Sequence, residues 1–354
     1  VEVIGEYAFY NRSLSNLVIP GSVKEIGEYA FYGALLNSVV IPEGVVTIGT
    51  SAFGGCSNLS SISLPCTLET VGSFAFFDTN LKSINIPANV SSITSYAIPS
   101  EIEQITVDAN NTKYHSSNNC LIETATNKLI RGCKNSIIPN DGSVKIIGDY
   151  AFNGVPIKQL TIPNGIVAIG EYAFSNCGLT SIELPQSVTS LGDCAFAECR
   201  DLESAVLSDN ITGVLNNTFN RCAKLKSVNI PTGISYIGSN TFANTALTEV
   251  YIPENVMGIS YRAFEDCYVL REVTCTGVTN IGEEAFKGCY NLVKISLGAD
   301  VSSIERQAFY GCSSLQEINF DNNSYLWKTC NKGIGWDYDT GDYIVVCNDG
   351  TLDK

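Results

Sequence analysis

The sequence is poor in the residues on which most catalytic and nucleic-acid-binding sites depend. Its 354 residues include one histidine, one methionine and two tryptophans, and only 16% are charged. The single histidine, His115, lies in an Asn- and Ser-rich stretch without the partners of a nucleophile–base pair, so we interpret it as an exposed loop residue. With 21 basic and 36 acidic residues, the net charge is −15. We therefore expect no nucleic-acid partner, because phosphate contacts need clustered Lys and Arg.

Further absences narrow the class of protein. No run of about 18 apolar residues occurs, so no membrane insertion is predicted. There is no CxxC pair, and one histidine offers little to a zinc site. Residues 337–342 begin like a calcium-binding loop, but Asn348 stands where that loop needs a bidentate carboxylate, and a hairpin turn is the better interpretation. No pair of acids stands apart from the repeat described next, so we predict no metal, no cofactor and no enzymatic activity.

What fills the sequence is a repeat, which an alignment of its Ala-Phe pairs reveals. Successive copies lie 22 or 23 residues apart, with one interval of 54 between Ile98 and Phe152. Such a period predicts coils stacked around one continuous core rather than separate globular domains. The thirteen aligned positions are Phe9, Phe31, Phe53, Phe76, Ile98, Phe152, Phe174, Phe196, Phe219, Phe242, Phe264, Phe286 and Phe309.

Each copy combines a short strand with a turn. In Leu-x-x-Ile-x-Ile-Pro, apolar residues alternate with polar ones, which indicates a strand with one buried face, and the Pro lacks the N–H needed to continue the ladder. Ile-Gly follows, and we expect its glycine to turn tightly or to take a positive φ. Ala-Phe then places a small and a large residue inward, on a one-turn or 3₁₀ segment. Since one copy cannot bury its own apolar face, the copies are predicted to stack in parallel as a right-handed solenoid.

The cysteines follow the repeat. Of the fourteen in the chain, seven stand three residues after the aligned Phe. Their register predicts a structural column of buried thiols that pack as small hydrophobes. Neighbouring coils about 4.8 Å apart do not exclude a disulfide, so the choice between thiol and disulfide stays open. The seven are Cys56, Cys177, Cys199, Cys222, Cys267, Cys289 and Cys312.

The full string, Leu-x-x-Ile-x-Ile-Pro-x-x-Val-x-x-Ile-Gly-x-x-Ala-Phe-x-x-Cys, resembles the BspA-type leucine-rich repeats. Residues 14–34 and 157–177 show it well, and the likeness extends over residues 1–320. It implies an α/β-type repeat solenoid: a right-handed leucine-rich-repeat array of 22–23-residue coils, with a parallel β-sheet on the concave side and few regular helices. It also implies a cell-surface or secreted protein, because such repeats occur in surface proteins of anaerobic and commensal bacteria and of some mucosal protozoa.

The pattern predicts four segments. Residues 1–98 hold five copies and open inside a repeat, so we expect the N-terminal cap to be missing. Residues 99–143 form an irregular strand and hairpin insertion within the array, and residues 144–320 hold eight further copies. Residues 321–354 form a C-terminal cap, across which Cys330 and Cys347 could pair. We favour one continuous solenoid over two arrays that fold separately.

Two surfaces are candidates for binding. The outward residues of the predicted sheet offer mixed charges and few aromatic anchors; the candidate ligand-binding residues there are Lys82, Glu103, Lys158, Glu183, Lys226, Glu249, Tyr251, Arg271 and Glu272. A solvated sheet face is an equally good interpretation. The second surface is a stripe just before Ala-Phe, aromatic in the first half of the sequence (Tyr7, Tyr29, Phe74, Tyr96, Tyr150 and Tyr172). We favour packing between coils for this stripe over a contact surface.

By resemblance, the leading functional hypothesis is adhesion: non-catalytic binding of a host extracellular-matrix or cell-surface protein or glycan, or of a neighbouring cell, by the concave sheet. The alternative is a structural stalk that displays another domain. Both rest on the fold family rather than on a recognised site.

Overall fold

The computed structural model describes residues 1–213 and 215–354. They form two compact units, Val1–Ile166 and Val167–Lys354. In unit 1 the strands are β1 (Val3–Ile4), β2 (Glu25–Ile26), β3 (Ser38–Val40), β4 (Thr47–Ile48), β5 (Ser61–Ser63), β6 (Thr70–Val71), β7 (Ser83–Ile86), β8 (Ser92–Ile93), β9 (Gln104–Val107), β10 (Tyr114–Ser117), β11 (Cys120–Glu123), β12 (Lys128–Arg131) and β13 (Ile146–Ile147), with a 3₁₀ turn at Ser95–Ala97.

Unit 2 continues the same alternation of short strands. Its elements are β14 (Ala168–Ile169), β15 (Ser181–Glu183), β16 (Ser190–Leu191), β17 (Ser204–Val206), β18 (Ser227–Val228), β19 (Tyr236–Ile237), β20 (Glu249–Tyr251), β21 (Gly258–Ile259), β22 (Glu272–Cys275), β23 (Asn280–Ile281), β24 (Lys294–Leu297), β25 (Ser303–Ile304), β26 (Glu317–Phe320), α1 (Ser324–Thr329), β27 (Asn331–Lys332), β28 (Ile344–Cys347) and β29 (Gly350–Asp353).

Within each unit these strands build a parallel β-solenoid with almost no helix, which confirms the predicted leucine-rich-repeat fold class. Each regular coil contributes to two ladders. The predicted Leu-x-x-Ile-x-Ile strands pair in parallel, as β3 with β5, β7 with β9, and β20 with β22, β24 and β26 in turn; we call their exposed side the strand face. A second ladder of two-residue strands, which the sequence pattern did not predict, precedes each Ile-Gly glycine and runs β1-β2-β4-β6-β8 in unit 1.

The core is a stack of identical side chains. Phe9 and Phe31, and Phe31 and Phe53, have ring centroids 5.2 Å apart in nearly parallel planes, and Phe174 stacks on Phe196 at 5.3 Å in unit 2. From Phe31 onward these rings are fully buried. Each coil thus buries its Phe against the Phe of the next coil, and an isolated copy would lack that partner.

The Ala-Phe segment is a chain of turns held to its neighbours. N–H groups alternate between two partners: one bonds within the coil, as Ala30 N to Gly27 O, and the next bonds to the following coil, as Tyr29 N to Thr50 O at 2.9 Å and Phe31 N to Ala52 O at 2.8 Å. The residues two before and two after the Phe take left-handed φ values, +52° at Tyr29 and +69° at Gly33. The bonds between coils hold non-glycine residues in this sparsely populated region.

The glycine of Ile-Gly recurs in most coils for a reason other than the positive φ that we expected. Gly72 is not among the left-handed residues, so the expectation of a positive φ is wrong. Instead, a Cβ at Gly72 would lie 2.5 Å from Thr50 N and 2.6 Å from Gly49 C in the preceding coil. The glycine is required because two backbones approach each other closely.

All fourteen cysteines are free thiols, Cys330 and Cys347 included. The seven cysteines three residues after the aligned Phe are buried. Six of these thiols donate to the carbonyl oxygen of the aligned Phe in the preceding coil, as Cys56 Sγ to Phe31 O at 3.1 Å and Cys312 Sγ to Phe286 O at 3.2 Å. Cys177 and Cys199 have their Sγ atoms 3.6 Å apart. Burial raises the pKa of Cys56 to about 11, which keeps this thiol protonated at neutral pH.

The insertion is a three-stranded antiparallel meander joined to the array. β10 pairs with β11 and β11 with β12, and β12 then pairs in parallel with β13, where it takes the place of a second-ladder strand. Buried Arg131 donates to the carbonyl oxygens of Tyr150 and Asn153 at 3.2 and 3.1 Å. On the turn side, Ser95 Oγ donates to Asp149 O at 3.2 Å, so the coils on either side of the insertion are in direct contact.

The C-terminal segment forms a further coil in addition to closing the array. β27 pairs with β25, and β28 pairs with β26. Phe309 N donates to Trp336 O, so Trp336 takes the place that the Ala of Ala-Phe has in a regular coil. β29 then pairs antiparallel with β28 and ends the parallel ladder. Trp327 is buried against Phe320, with ring centroids 5.5 Å apart.

Candidate interaction surfaces

The strand face presents the candidate residues in rows. Along each strand, buried apolar side chains alternate with outward polar ones, as in β7, where Ile84 and Ile86 are buried and Ser83 and Asn85 are exposed. Because neighbouring strands are in register, equivalent outward residues lie side by side. The face is therefore a rigid array whose chemistry is set by single substitutions in the repeat.

In unit 1, the structure brings Lys82 and Glu103 together. They line a cavity of about 410 Å³ with Ser83 and Gln104 of the strand face and Asn119 and Asn135 of the insertion. Lys134 Nζ lies 2.8 Å from Glu103 Oε1. The hydrogen bond from Lys134 and its charge hold the pKa of Glu103 below its usual range. Lys158 is exposed on the segment 157–162, which carries the strand pattern but forms no strand.

In unit 2, three candidate residues surround an opening in the strand face. β18 ends one parallel sheet and β20 begins another, and no backbone hydrogen bond joins these two strands in the part of the chain that the structure describes. The opening is a cleft of about 430 Å³, lined by Lys226, Glu249 and Tyr251 at the surface and by Phe242 and Leu247 among its other residues. Tyr251 is 64% exposed.

The remaining candidates lie on either side of this cleft. Glu183 is exposed on β15. Lys226 Nζ lies 3.4 Å from Glu203 Oε2. Glu249 lies opposite Glu272 on the neighbouring strand, and the same row continues through Lys294 to Glu317. Lys294 Nζ lies 2.6 Å from Glu317 Oε1. Arg271 immediately precedes this row and is exposed.

The turn face, defined by the residues two before and one after the aligned Phe, differs between the units. In unit 1, Tyr7 stacks on Tyr29 at 5.0 Å and Tyr10 on Tyr32 at 5.3 Å. Tyr7 and Tyr10 are 49% and 40% exposed, so this stripe is both packed between coils and accessible. In unit 2 the coils of Phe264 and Phe286 carry at these positions Arg262, Glu265, Glu284 and Lys287, which form an ion-pair lattice. Further along, Tyr310 stacks on Tyr338 at 5.6 Å.

Sequence reasoning missed the contribution of the insertion to the strand face. Asn118 and Asn119 both have positive φ, 49° and 62°, which is the signature of a two-residue type I′ hairpin turn. The Asn-Asn pair directly before the apolar run of residues 120–122 was the available signal. The C-terminal segment also contains a cavity of about 330 Å³, lined by Trp327, Trp336 and Tyr343 with Lys328 and Lys332. The only indication of it in the sequence was that both tryptophans lie in this segment.

Residues 1–213 and 215–354 contain no group of three His, Cys, Asp or Glu side chains placed to hold a metal ion. No helix among them has the length and apolar character of a membrane span.

The fold and its two ladders define a leucine-rich-repeat solenoid, and comparison with known proteins gives the family. The model of the BspA type leucine rich repeat region matches residues 1–125, 145–271 and 241–331, in six copies. The chain belongs to this family, whose members are commonly surface proteins involved in protein interaction and whose fold is typically non-enzymatic. No curated protein sequence matches the chain.

Solved structures share the architecture. A leucine-rich repeat protein from Bacteroides ovatus ATCC 8483 is 28% identical, with 98% of this chain and 88% of that protein covered and a TM-score of 0.66. A leucine rich cell surface protein from Faecalibacterium prausnitzii A2-165 is 24% identical, with 94% and 79% covered and a TM-score of 0.50. A leucine-rich repeat protein from Eubacterium ventriosum ATCC 27560 is 19% identical, with 94% and 86% covered and a TM-score of 0.50. The last two similarities support the fold alone.

Proposed function

We propose that this chain is the non-catalytic interaction module of a cell-surface or secreted adhesion protein, and that it binds a host or neighbouring-cell protein or glycan through its strand face. The observation that carries the proposal is the cleft between β18 and β20. It opens the strand face beside an exposed aromatic residue, Tyr251, and it lies next to the charged row that includes Glu249 and Glu272. Aromatic and Arg side chains at a pocket are the usual anchors of an interface.

The surface location is supported by the family, whose members are commonly surface proteins. The absence of catalysis is supported by the residues: His115 bonds Thr124 Oγ1 through Nδ1 at 3.0 Å in the insertion, and the acids on the strand face engage Lys side chains, as Glu103 does with Lys134 and Glu317 with Lys294. The ion pairs of Glu103 and Glu317 support a structural role for these two carboxylates.

The test is solid-phase binding of the whole chain to a panel of matrix proteins, mucins and glycans, with Lys158→Glu and Arg271→Glu introduced together. Both side chains are exposed, so the variant should fold normally. We expect saturable binding that the double substitution reduces at least ten-fold. Full binding by the variant would overturn the use of the strand face, and no binding to any member of the panel would favour the structural stalk. A companion variant, Tyr251→Ala, tests the cleft alone.

A further inference from the structure

We propose that the junction between the insertion and the strand face of unit 1 is a binding site for a neutral oligosaccharide. The inference deepens the proposed function, on which it rests, because it assigns a ligand class to one part of the strand face. The inference depends on the asparagine side chains that the insertion places beside the coils, because the repeat itself does not contribute these asparagines.

The first half of the site is the cavity of about 410 Å³ that contains Lys82 and Glu103. Three carboxamides line it: Gln104 on β9, Asn119 in the β10–β11 turn, and Asn135 after β12. A carboxamide carries two donors and an acceptor without net charge, which matches hydroxyl groups that both donate and accept.

The second half is a cavity of about 460 Å³ on the other side of the same hairpin turn. It is lined by three more carboxamides, Asn118, Asn140 and Gln159, together with Leu160 and Ile137. The Ile137 side chain is 69% exposed. Apolar side chains beside hydrogen-bonding groups suit a sugar ring, which has C–H faces and a hydroxyl rim, and each cavity falls in the size range of small-ligand sites, about 300–1,000 Å³.

The two cavities share a rigid wall. Ser136 Oγ donates to Asn119 O at 2.7 Å and accepts from Cys133 N at 2.8 Å, while Ile137 N donates to Asn118 O at 3.2 Å. Asn135 Nδ2 donates to Glu103 O at 3.3 Å, which fastens this wall to the strand face. Asn119 Nδ2 donates in turn to Asn135 O at 3.4 Å. The carboxamides of Asn119 and Asn135 are therefore held in place before any ligand arrives, which reduces the entropy lost on binding.

Charge favours a neutral ligand over an acidic one. Glu103 is held as a carboxylate by Lys134, which also compensates its charge, and the chain as a whole has a net charge of −15 that repels acidic glycans. The cleft of unit 2 differs, because its one carboxamide, Asn229, bonds both backbone groups of Leu207, its Oδ1 accepting from N at 2.6 Å and its Nδ2 donating to O at 2.9 Å. That cleft presents Tyr251 and charged groups instead.

The experiment is a glycan array of neutral and sialylated oligosaccharides probed with the whole chain, followed by calorimetry on the best neutral ligand. The variant carries Gln104→Ala, Gln159→Ala and Asn119→Gly. Glycine keeps the positive φ of position 119 available while it removes the carboxamide. Gln316→Ala, an exposed carboxamide of the strand face in unit 2, is the matched control.

We expect neutral oligosaccharides to bind, with affinity reduced at least ten-fold in the triple variant and unchanged in Gln316→Ala, while both variants keep the unfolding temperature within a few degrees. Lack of any glycan binding, or equal affinity in the triple variant, would overturn the inference. The proposed function would survive that result if the chain still bound a deglycosylated protein in a manner sensitive to Arg271→Glu. Glycan binding that is insensitive to Arg271→Glu but lost in the triple variant would support this site by itself.

Discussion

The turn faces of the two units solve the same geometric problem with different chemistry. In both, a backbone hydrogen bond to the next coil holds the residue two before the aligned Phe at positive φ. The N–H of Tyr29, at +52°, donates to Thr50 O at 2.9 Å, and the N–H of Glu284, at +58°, donates to Arg306 O at 3.0 Å. The backbone thus places equivalent side chains of successive coils about 5 Å apart, whatever they are. The first coils of unit 1 use that spacing for aromatic stacking, and the coils of Phe264 and Phe286 in unit 2 use it for ion pairs.

The spacing also explains the sequences of the two stripes. Aromatic rings can repeat from coil to coil, because stacked rings attract, and Tyr7 and Tyr29 do so with an interplanar angle of 4°. Equal charges at that distance repel, so a charged stripe must alternate in sign. Unit 2 has Arg262 followed by Glu284 at one position and Glu265 followed by Lys287 at the other, with Arg262 Nε 2.6 Å from Glu284 Oε2. A stacked aromatic stripe can therefore repeat the same residue in successive coils, whereas a charged stripe alternates the sign of its charges.

The largest expected effect tests the scaffold that both faces share. Gly72→Ala in unit 1 and Gly192→Ala in unit 2 would each place a Cβ 2.5 Å from a backbone nitrogen of the preceding coil. We expect each to destabilise its own unit by about 3 kcal/mol, since backbone atoms cannot move aside as a side chain can. Native-state hydrogen exchange measures each unit separately, as repeat arrays need not unfold in two states.

The control for this pair is Gly5→Ala, because a Cβ there meets nothing within 4 Å. A loss in Gly72→Ala no greater than that in Gly5→Ala would show that the coils separate easily. In that case the close approach would not set the position of the turn face, and the comparison between the units would lose its common basis.

The contrast between the faces shows what the sequence alone could predict. Periodicity assigned the inward residues, such as Ile84 and Phe31, because burial in a stacked array depends only on register. It could not assign the glycine contact, since a close approach between coils is a distance between residues more than twenty positions apart. Nor could it pair Glu103 with Lys134, because that contact depends on the path of the insertion.

The candidate site was predictable to a similar extent. Outward positions on the strands were identified correctly as exposed, as Lys226 and Arg271 are. The clefts were not predicted, because the strand pattern continues on both sides of the gap between β18 and β20, and the periodicity does not show which neighbouring strands pair. Which of these residues bind a partner remains the proposal made above.

The next largest effect should come from the ion-pair lattice. Glu284 is 5% exposed, and its Oε2 accepts from Arg262 Nε at 2.6 Å and from Lys287 Nζ at 3.0 Å. Glu284→Gln would leave two partly buried cations with only their longer contacts to Glu265, at 3.5 and 3.6 Å, and we expect unit 2 to lose about 2 kcal/mol. Glu283→Gln is the matched control, because its ion pair with Arg306 is more exposed and should contribute less than about 1 kcal/mol. Equal losses in the two variants would show that burial does not strengthen the lattice.

The lattice also predicts a pH dependence for the stability of unit 2. Burial acts to raise the pKa of Glu284, but the hydrogen bonds and charges of Lys287 and Arg262 outweigh it, so the pKa lies below its usual value. Stability from this carboxylate is therefore present above the unfolded pKa of about 4.3 and is lost as the pH falls through the depressed folded value. Burial raises the pKa of Glu265, so its contribution has the opposite sign and declines as the pH rises through its own range. Hydrogen exchange at about pH 6 and about pH 3, on either side of this window, should show that Glu284→Gln flattens the acid-side loss and that Glu265→Gln deepens it.

The smallest expected effect belongs to the aromatic stripe of unit 1. Tyr29 stacks on Tyr7 and lies 5.7 Å from Tyr32, centroid to centroid, while both flanking rings stay partly in water. Tyr29→Ala should therefore destabilise unit 1 by about 1 kcal/mol, the range of an aromatic pair with limited burial, and Tyr29→Phe, which keeps the ring, should cost much less. Because no ion pair is involved, the loss should be the same in low and high salt and at pH 6 and pH 4. A salt-dependent loss would instead assign the stabilisation to the neighbouring acids Glu6 and Glu28. Electrostatic interactions would then stabilise the turn faces of both units.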